Sequence, residues 1–160
     1  MKILLVGCSI RSKGNFEGCN TEIALGSVKE GIGNLGEVED IRLNKWFSPD
    51  GSFTNENEVI DEIKKADGII FASPCYFGMP SSLFQDLIKI MKEKKIDLYP
   101  KVVGFVAVGA KRNGGEETQI VWSAWDIMEL GAIVVNDGHP ISQFGGVVIA
   151  GTKGQAKYDR

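Results

Sequence analysis

Apolar residues in this chain fall into two spacings that alternate along its length. Short continuous runs, Ile3-Leu4-Leu5-Val6, Ile69-Ile70-Phe71-Ala72 and residues 102–108, read as strands buried on both faces of a parallel sheet. Between them apolar positions recur every three or four residues. Ile23, Ala24, Val28 and Ile32 predict a helix from Thr21 to about Gly33, with Asn20 or Thr21 as its N-cap. Val59, Ile60 and Ile63 share one face of a short helix over 58–66. After Pro80, Leu83, Phe84, Leu87, Ile88 and Met91 form an inward face, with Lys89, Lys92 and Glu93 on the outward one. A fourth helix is predicted over 116–130. The alternation Val38-Glu39-Asp40-Ile41-Arg42-Leu43 suits a strand at a sheet edge, and Ile133-Val134-Val135 a fifth strand. Residues 46–57 are polar, contain Pro49, Gly51 and Asn55, and read as a loop.

Strands that alternate with helix-length crossovers predict a right-handed, doubly wound α/β sheet in a single domain over residues 1–160. For five strands the natural order is 2-1-3-4-5. Such a sheet normally has a helix after its fifth strand. After Asn136, however, there is only the apolar run 144–150 and a polar tail, with no amphipathic stretch of helical length. Either a second chain covers one face of the sheet, or the sequence stops short of the usual end. The first alternative predicts a homodimer or homotetramer.

In this order the loops after the first and third strands lie side by side where the strand order reverses, the place where open α/β sheets bind ligands. The first loop runs from Gly7-Cys8-Ser9-Ile10-Arg11 to Asn20-Thr21. Ser9, Asn20 and Thr21 supply neutral donors, Arg11 a bidentate cation, and the helix N-terminus its unpaired amides, a set that suits a phosphate. The alternative is an ordinary capped strand-to-helix loop. Neither GxxxxGK[ST] nor a GxGxxG opening a helix is present, which favours a monophosphate over a triphosphate or dinucleotide. Gly31-Ile32-Gly33-Asn34-Leu35-Gly36 spells GxGxxG, but it follows a helix and precedes a strand, so it reads as a helix stop and turn.

The second loop, Ala72-Ser73-Pro74-Cys75-Tyr76-Phe77-Gly78, has what a flat heterocycle needs. Pro74 stiffens it, Tyr76 and Phe77 offer aromatic faces, and Gly78 lets a peptide face the ring edge; the alternative is an aromatic loop packed on the core. A third loop, residues 109–118, follows the fourth strand and brings Gly109, Lys111, Arg112 and Gly114. Lys111 or Arg112 is placed to stabilise negative charge on a reduced ring, or else the two form a solvated basic pair.

A net charge of -3 leaves no basic footprint for nucleic acid or an anionic membrane. No apolar stretch approaches the ~18 residues of a membrane span, and the apolar start is too short for a signal peptide, so a cytoplasmic protein is expected. The three cysteines, Cys8, Cys19 and Cys75, form no CxxC and no ligand pair with the lone His139. Cys8 and Cys75 lie in the two ligand loops, either as small apolar fillers or as redox-active thiols. His139, before Pro140, is either an exposed loop histidine or a side chain reaching a site at a subunit interface.

Together, residues 7–21, the segment Ala66-Asp67-Gly68-Ile69-Ile70-Phe71-Ala72-Ser73-Pro74-Cys75-Tyr76-Phe77-Gly78 and the 109–118 loop resemble the NADPH-dependent FMN reductases. Within that group the chain is most similar to the multimeric flavodoxin-like and iron–sulfur flavoprotein branch, with Ser73-Pro74-x-Tyr76 the most specific element. The resemblance implies a flavodoxin-like fold and bound FMN, with its phosphate at Ser9, Arg11, Asn20 and Thr21. It implies isoalloxazine contacts at Pro74, Tyr76, Phe77 and Gly78, closed over by the third loop. It also implies NAD(P)H as donor, an acceptor that is a quinone, flavin, metal or protein, and no catalytic side chain, because the flavin carries the hydride. The chain departs from the branch in three ways: residues 13–19 lengthen the first loop, no cysteine stands in 46–58 to ligate a cluster, and the last helix is missing. The reductase reading therefore stands beside two others, an FMN-binding electron carrier and a flavin-free subunit that kept the fold.

Overall fold

In a computed structural model, residues 1–11, 19–45, 53–139 and 143–151 are described. The chain runs β1 (Lys2–Gly7), α1 (Asn20–Ile32), β2 (Glu37–Arg42), α2 (Glu56–Lys65), β3 (Gly68–Pro74), α3 (Ser82–Glu93), β4 (Val102–Gly109), α4 (Glu116–Met128), β5 (Ile133–Val134) and β6 (Gly146–Ile149). A short 3₁₀ turn, Leu43–Lys45, follows β2.

All strand pairs are parallel, in the order β2-β1-β3-β4-β5. The predicted doubly wound sheet is present, with β2 at one edge. The fifth position differs from expectation. β5 pairs with only Val102 and Val103, and the chain then leaves the sheet and returns as β6 opposite Val106 to Gly109. The apolar run that had no assigned place is thus the upper half of the same edge. One edge of β4 is satisfied by two short strands in succession.

Side-chain alternation along the strands divides the core in two. Leu4, Val6, Ile69, Phe71, Val103 and Phe105 face α2, α3 and α4, which cover them with Val59, Ile63, Leu83, Phe84, Leu87, Met91, Ile120 and Ile127. Phe71 lies edge to face with Phe84 at 5.4 Å and stacks on Phe105 at 6.1 Å, an arrangement worth more than area burial alone. On the opposite face Leu5, Ala72, Val106, Val108 and Val148 pack under Ala24 and Leu25 of α1. There Val102 and its register partner Ile133 stay 42% and 47% exposed.

Helix boundaries move slightly from those predicted. α1 starts at Asn20, so Cys19, not Asn20 or Thr21, is the N-cap, and its side chain makes no capping bond. Gly33 takes the C-cap position, as the helix-stop reading requires. No helix among the described residues is long and apolar enough to cross a membrane. The predicted loop at 46–57 and the insert at 13–19 fall mainly outside the described residues.

Candidate functional site

The carboxyl ends of β1, β3 and β4 release three adjacent loops, and backbone chemistry ties the first two together. Cys8 N donates to Ala72 O at 2.8 Å, and Cys75 N to Val108 O at 2.8 Å, each continuing the sheet one residue past its strand. Ser81 Oγ donates to Cys8 O, while Ser81 N donates to Ser73 Oγ at 2.9 Å. The same Ser81 Oγ accepts from Phe84 N and so caps α3. One buried serine therefore joins the first loop and a helix start through its hydroxyl, and the second loop through its backbone N–H. A serine directly ahead of an apolar helical run is a cap signal, and it is visible in the sequence; its second bond, to a carbonyl far along the chain, is not.

In the first loop Ser9 is buried and accepts from Arg11 N at 3.2 Å, and Arg11 is exposed. Thr21 is buried and Asn20 half-buried at the first turn of α1. The N-cap Cys19 makes no side-chain capping bond, so among the described residues no side chain caps the leading amides at the positive end of the α1 dipole.

The second loop folds into a tight hairpin in which Tyr76 and Met79 exchange two backbone bonds of 3.0 Å. Its central residues, Phe77 and Gly78, have φ of 55° and 78°, the pair of positive values that a type I′ turn requires. Glycine accepts this without strain; phenylalanine does not, and Phe77 is displayed fully exposed at the tip. Tyr76 is half-buried below it.

The third loop meets the second glycine to glycine. Gly115 has φ 99°, and a Cβ there would lie 2.8 Å from Gly78 Cα. Cys75 Sγ reaches Gly114 O at 3.7 Å. Glu116, the first residue of α4, turns back under its own loop, so that a Cβ on Gly109 would fall 1.6 Å from its Oε1. Among the described residues that oxygen is buried without a hydrogen-bond partner, as is Oε1 of Gln119 one turn further on. Sequence reasoning missed Gly115, Glu116 and Ser81 as parts of this junction. Lys111 and Arg112 are exposed, and Arg112 lines a cleft of about 720 Å³ on the other flank of the loop, with Glu117, Asp137 and Gln143. None of the first- or second-loop candidates lines that cleft. The structure thus sets Gly78 against Gly115 and Cys75 against Gly114, and ties Ser9's loop to Pro74's. It leaves Arg11, Lys111 and Arg112 at the rim.

Burial decides the reading of the two thiols. Cys8 is completely buried, which pushes its thiol far above the ordinary range. Cys75 is pushed up by desolvation, with the charge of Glu116 adding to the rise, while a bond from Gly78 opposes it. Only a thiolate is a competent nucleophile, so desolvation works against nucleophilic chemistry at both positions, completely buried Cys8 most of all. His139 is exposed in the described structure.

With this geometry in hand, the sequence profile of the NADPH-dependent FMN reductases matches residues 1–146. The chain belongs to the NADPH-dependent FMN reductase family. Among similar relatives of this reductase-family chain, an iron–sulfur flavoprotein of Methanocaldococcus jannaschii is 33% identical over 174 residues, covering 99% of this chain and 88% of that one. An iron–sulfur flavoprotein of Methanosarcina thermophila is 38% identical over 95 residues, 57% of this chain and 48% of its own. A Fusobacterium nucleatum flavodoxin bound to flavin mononucleotide superimposes with a TM-score of 0.57 at 16% identity, covering 91% of this chain and 76% of that one. At that identity the match shows the fold alone, which is flavodoxin-like. This family member has three cysteines in all, one short of the four that ordinarily ligate an iron–sulfur cluster.

Proposed function

We propose that the chain is an FMN-dependent NAD(P)H oxidoreductase, one domain over residues 1–160, which passes electrons from a nicotinamide to a separate acceptor. The observation that carries this reading is the three-loop junction at the carboxyl ends of β1, β3 and β4, with Gly78 against Gly115 at its centre. The residues fit the cofactor. The start of α1, whose N-cap Cys19 makes no side-chain capping bond, would hold the phosphate with Ser9, Arg11, Asn20 and Thr21. Pro74, Tyr76, Phe77 and Gly78 would border the ring, with Gly109, Lys111, Arg112 and Gly114 on its other side. Bound flavin supplies the hydride and single-electron chemistry; the protein binds and orients it and sets the surrounding charge. Gly78 presents backbone where a side chain would stand in the way, and the cations at the rim favour negative charge nearby.

The test is anaerobic mixing of the FMN-loaded protein with NADPH and with NADH. Bleaching of the flavin's visible band supports the reductase and ranks the two donors. Bleaching by dithionite alone replaces it with the electron-carrier reading. Failure to take up FMN leaves a flavodoxin-like subunit without its cofactor.

A further inference from the structure

Two carboxylates are buried among the described residues, and their surroundings differ. Glu22 faces the guanidinium of Arg42 at 3.3 Å. Glu116 is 3% exposed, its Oε1 is without a hydrogen-bond partner, and no cation pairs with it among the described residues. A charge taken out of water in this way is costly, so its place calls for a reason. The start of α4 does not supply one. Glu117, the next residue, is exposed in the same first turn and serves the helix dipole from water. The chain also makes room for the buried carboxylate. Neither Gly109 nor Gly114 has a left-handed φ, so the backbone there does not call for glycine. A Cβ on Gly109 would overlap the Glu116 carboxyl, 1.6 Å from Oε1 and 2.4 Å from Cδ, and one on Gly114 would lie 3.0 Å from Oε1.

We propose that Glu116 is a charge-setting residue of the flavin site, whose buried carboxylate lowers the reduction potential of FMN held between the second and third loops. The inference rests on the flavin reading. Placement supports it. Glu116 follows Gly115, which packs on Gly78, and it lies against Gly109 and Gly114, two of the residues that would border the ring. Its charge reaches across the junction: desolvation is the main cause that pushes the Cys75 thiol up, and Glu116 adds to the rise. Reduction adds negative charge to the ring, and a fixed negative charge nearby opposes that gain. Lys111 and Arg112 act in the other direction, but they are exposed at the rim. At equal separation an interaction through bulk water is worth about a quarter of one near the protein, and salt screens it further. The floor of the third loop therefore outweighs its rim. An oxidised ring carries no net charge and feels little of Glu116, so the effect falls on the reduced form.

Midpoint potentials of the FMN-loaded full chain, read spectroscopically against reference dyes, test the proposal in wild type, E116Q, E116D and E117Q. The Kd of oxidised FMN is measured by titration in each. E116Q keeps the size and shape of the side chain and removes its charge. It should favour the reduced form by about tenfold, a rise of about 30 mV for a two-electron couple, while its Kd for oxidised FMN stays within about threefold of wild type. E116D keeps the charge and should stay close to the wild-type potential. E117Q, whose carboxylate is in water, should move the potential far less than E116Q. A packing role would weaken both forms alike and leave the potential where it was, which overturns the proposal. So does a shift in E116D or E117Q as large as that in E116Q, or an E116Q variant that no longer holds oxidised FMN. A wild type that takes up no FMN overturns the flavin reading and this inference together; bound FMN whose potential ignores E116Q overturns the inference alone.

Discussion

Alanine at Gly115 tests whether the second and third loops are locked together by the absence of side chains. Gly115 sits at φ 99°, and a Cβ there would lie 2.8 Å from Gly78 Cα and 3.1 Å from Gly78 N. Both neighbours are backbone and cannot rotate away. A non-glycine residue in this region costs about 1 kcal/mol, and an extra group forced into a packed contact about 1–3 kcal/mol. If the loops stay together, G115A should lose about 2–4 kcal/mol of unfolding free energy, read from urea denaturation followed by tryptophan fluorescence. If the loops part instead, the stability loss shrinks and the cost moves to FMN affinity, where 2 kcal/mol is about a 30-fold weaker Kd. The control is G26A. Gly26 lies inside α1 with nothing within 4 Å of its Cβ position, so the same substitution should gain about 1 kcal/mol there from helix propensity. A G115A variant within about 0.5 kcal/mol of wild type and with unchanged FMN affinity would refute the reasoning, since no strain or clash would then exist at the junction.

Three further outcomes follow from other parts of the structure. Serine 81 to alanine (S81A) removes both a helix cap and the donor to Cys8 O, and should lower stability by about 2–3 kcal/mol in the same urea experiment. Iodoacetamide should modify Cys75 more slowly than a free cysteine at the same pH, and E116Q should speed the reaction; Cys8 should react only after unfolding. Bonds from Lys65 and then Lys2 hold the Glu62 carboxyl down to about 2. Its contribution to stability is therefore complete above the ordinary carboxylate pKa and is lost as pH falls from about 4.5 towards 2; E62Q should flatten that part of a melting-temperature profile.

Much of the fold was legible because the two hydrophobic spacings barely overlap. Ile3 to Val6 and Ile69 to Ala72 are too short and too continuous for helices, and the run from Leu83 to Met91 keeps helical period throughout. The same logic dismissed the glycine triplet at Gly31, Gly33 and Gly36, which the structure places at the end of α1 and the turn after it. The split of the fifth strand was not legible. Ile133-Val134-Val135 already filled that position, and the apolar run 144–150 had no assigned element, whereas the close approach of Gly145 to Phe105 O is what lets β6 join the edge. At the site, the loops and their residue types could be read from local pattern. The contacts that organise them could not, because Gly78 to Gly115 and Ser81 to Cys8 are long-range and depend on register, not on motif. Glu116 was hidden for a related reason. An acidic residue at a helix start ordinarily faces solvent, and only the missing side chains of Gly109 and Gly114 let it fold inward.

Titration of the purified apo-protein with FMN, followed by quenching of the free flavin's fluorescence with R11Q alongside, tests whether the three loops on this sheet form an FMN site. Saturable binding at one flavin per chain is expected, with an affinity about tenfold weaker or more in R11Q, the loss of one charge-assisted phosphate contact. Flavin fluorescence that stays unquenched at excess protein, or equal affinity in the two proteins, would contradict it.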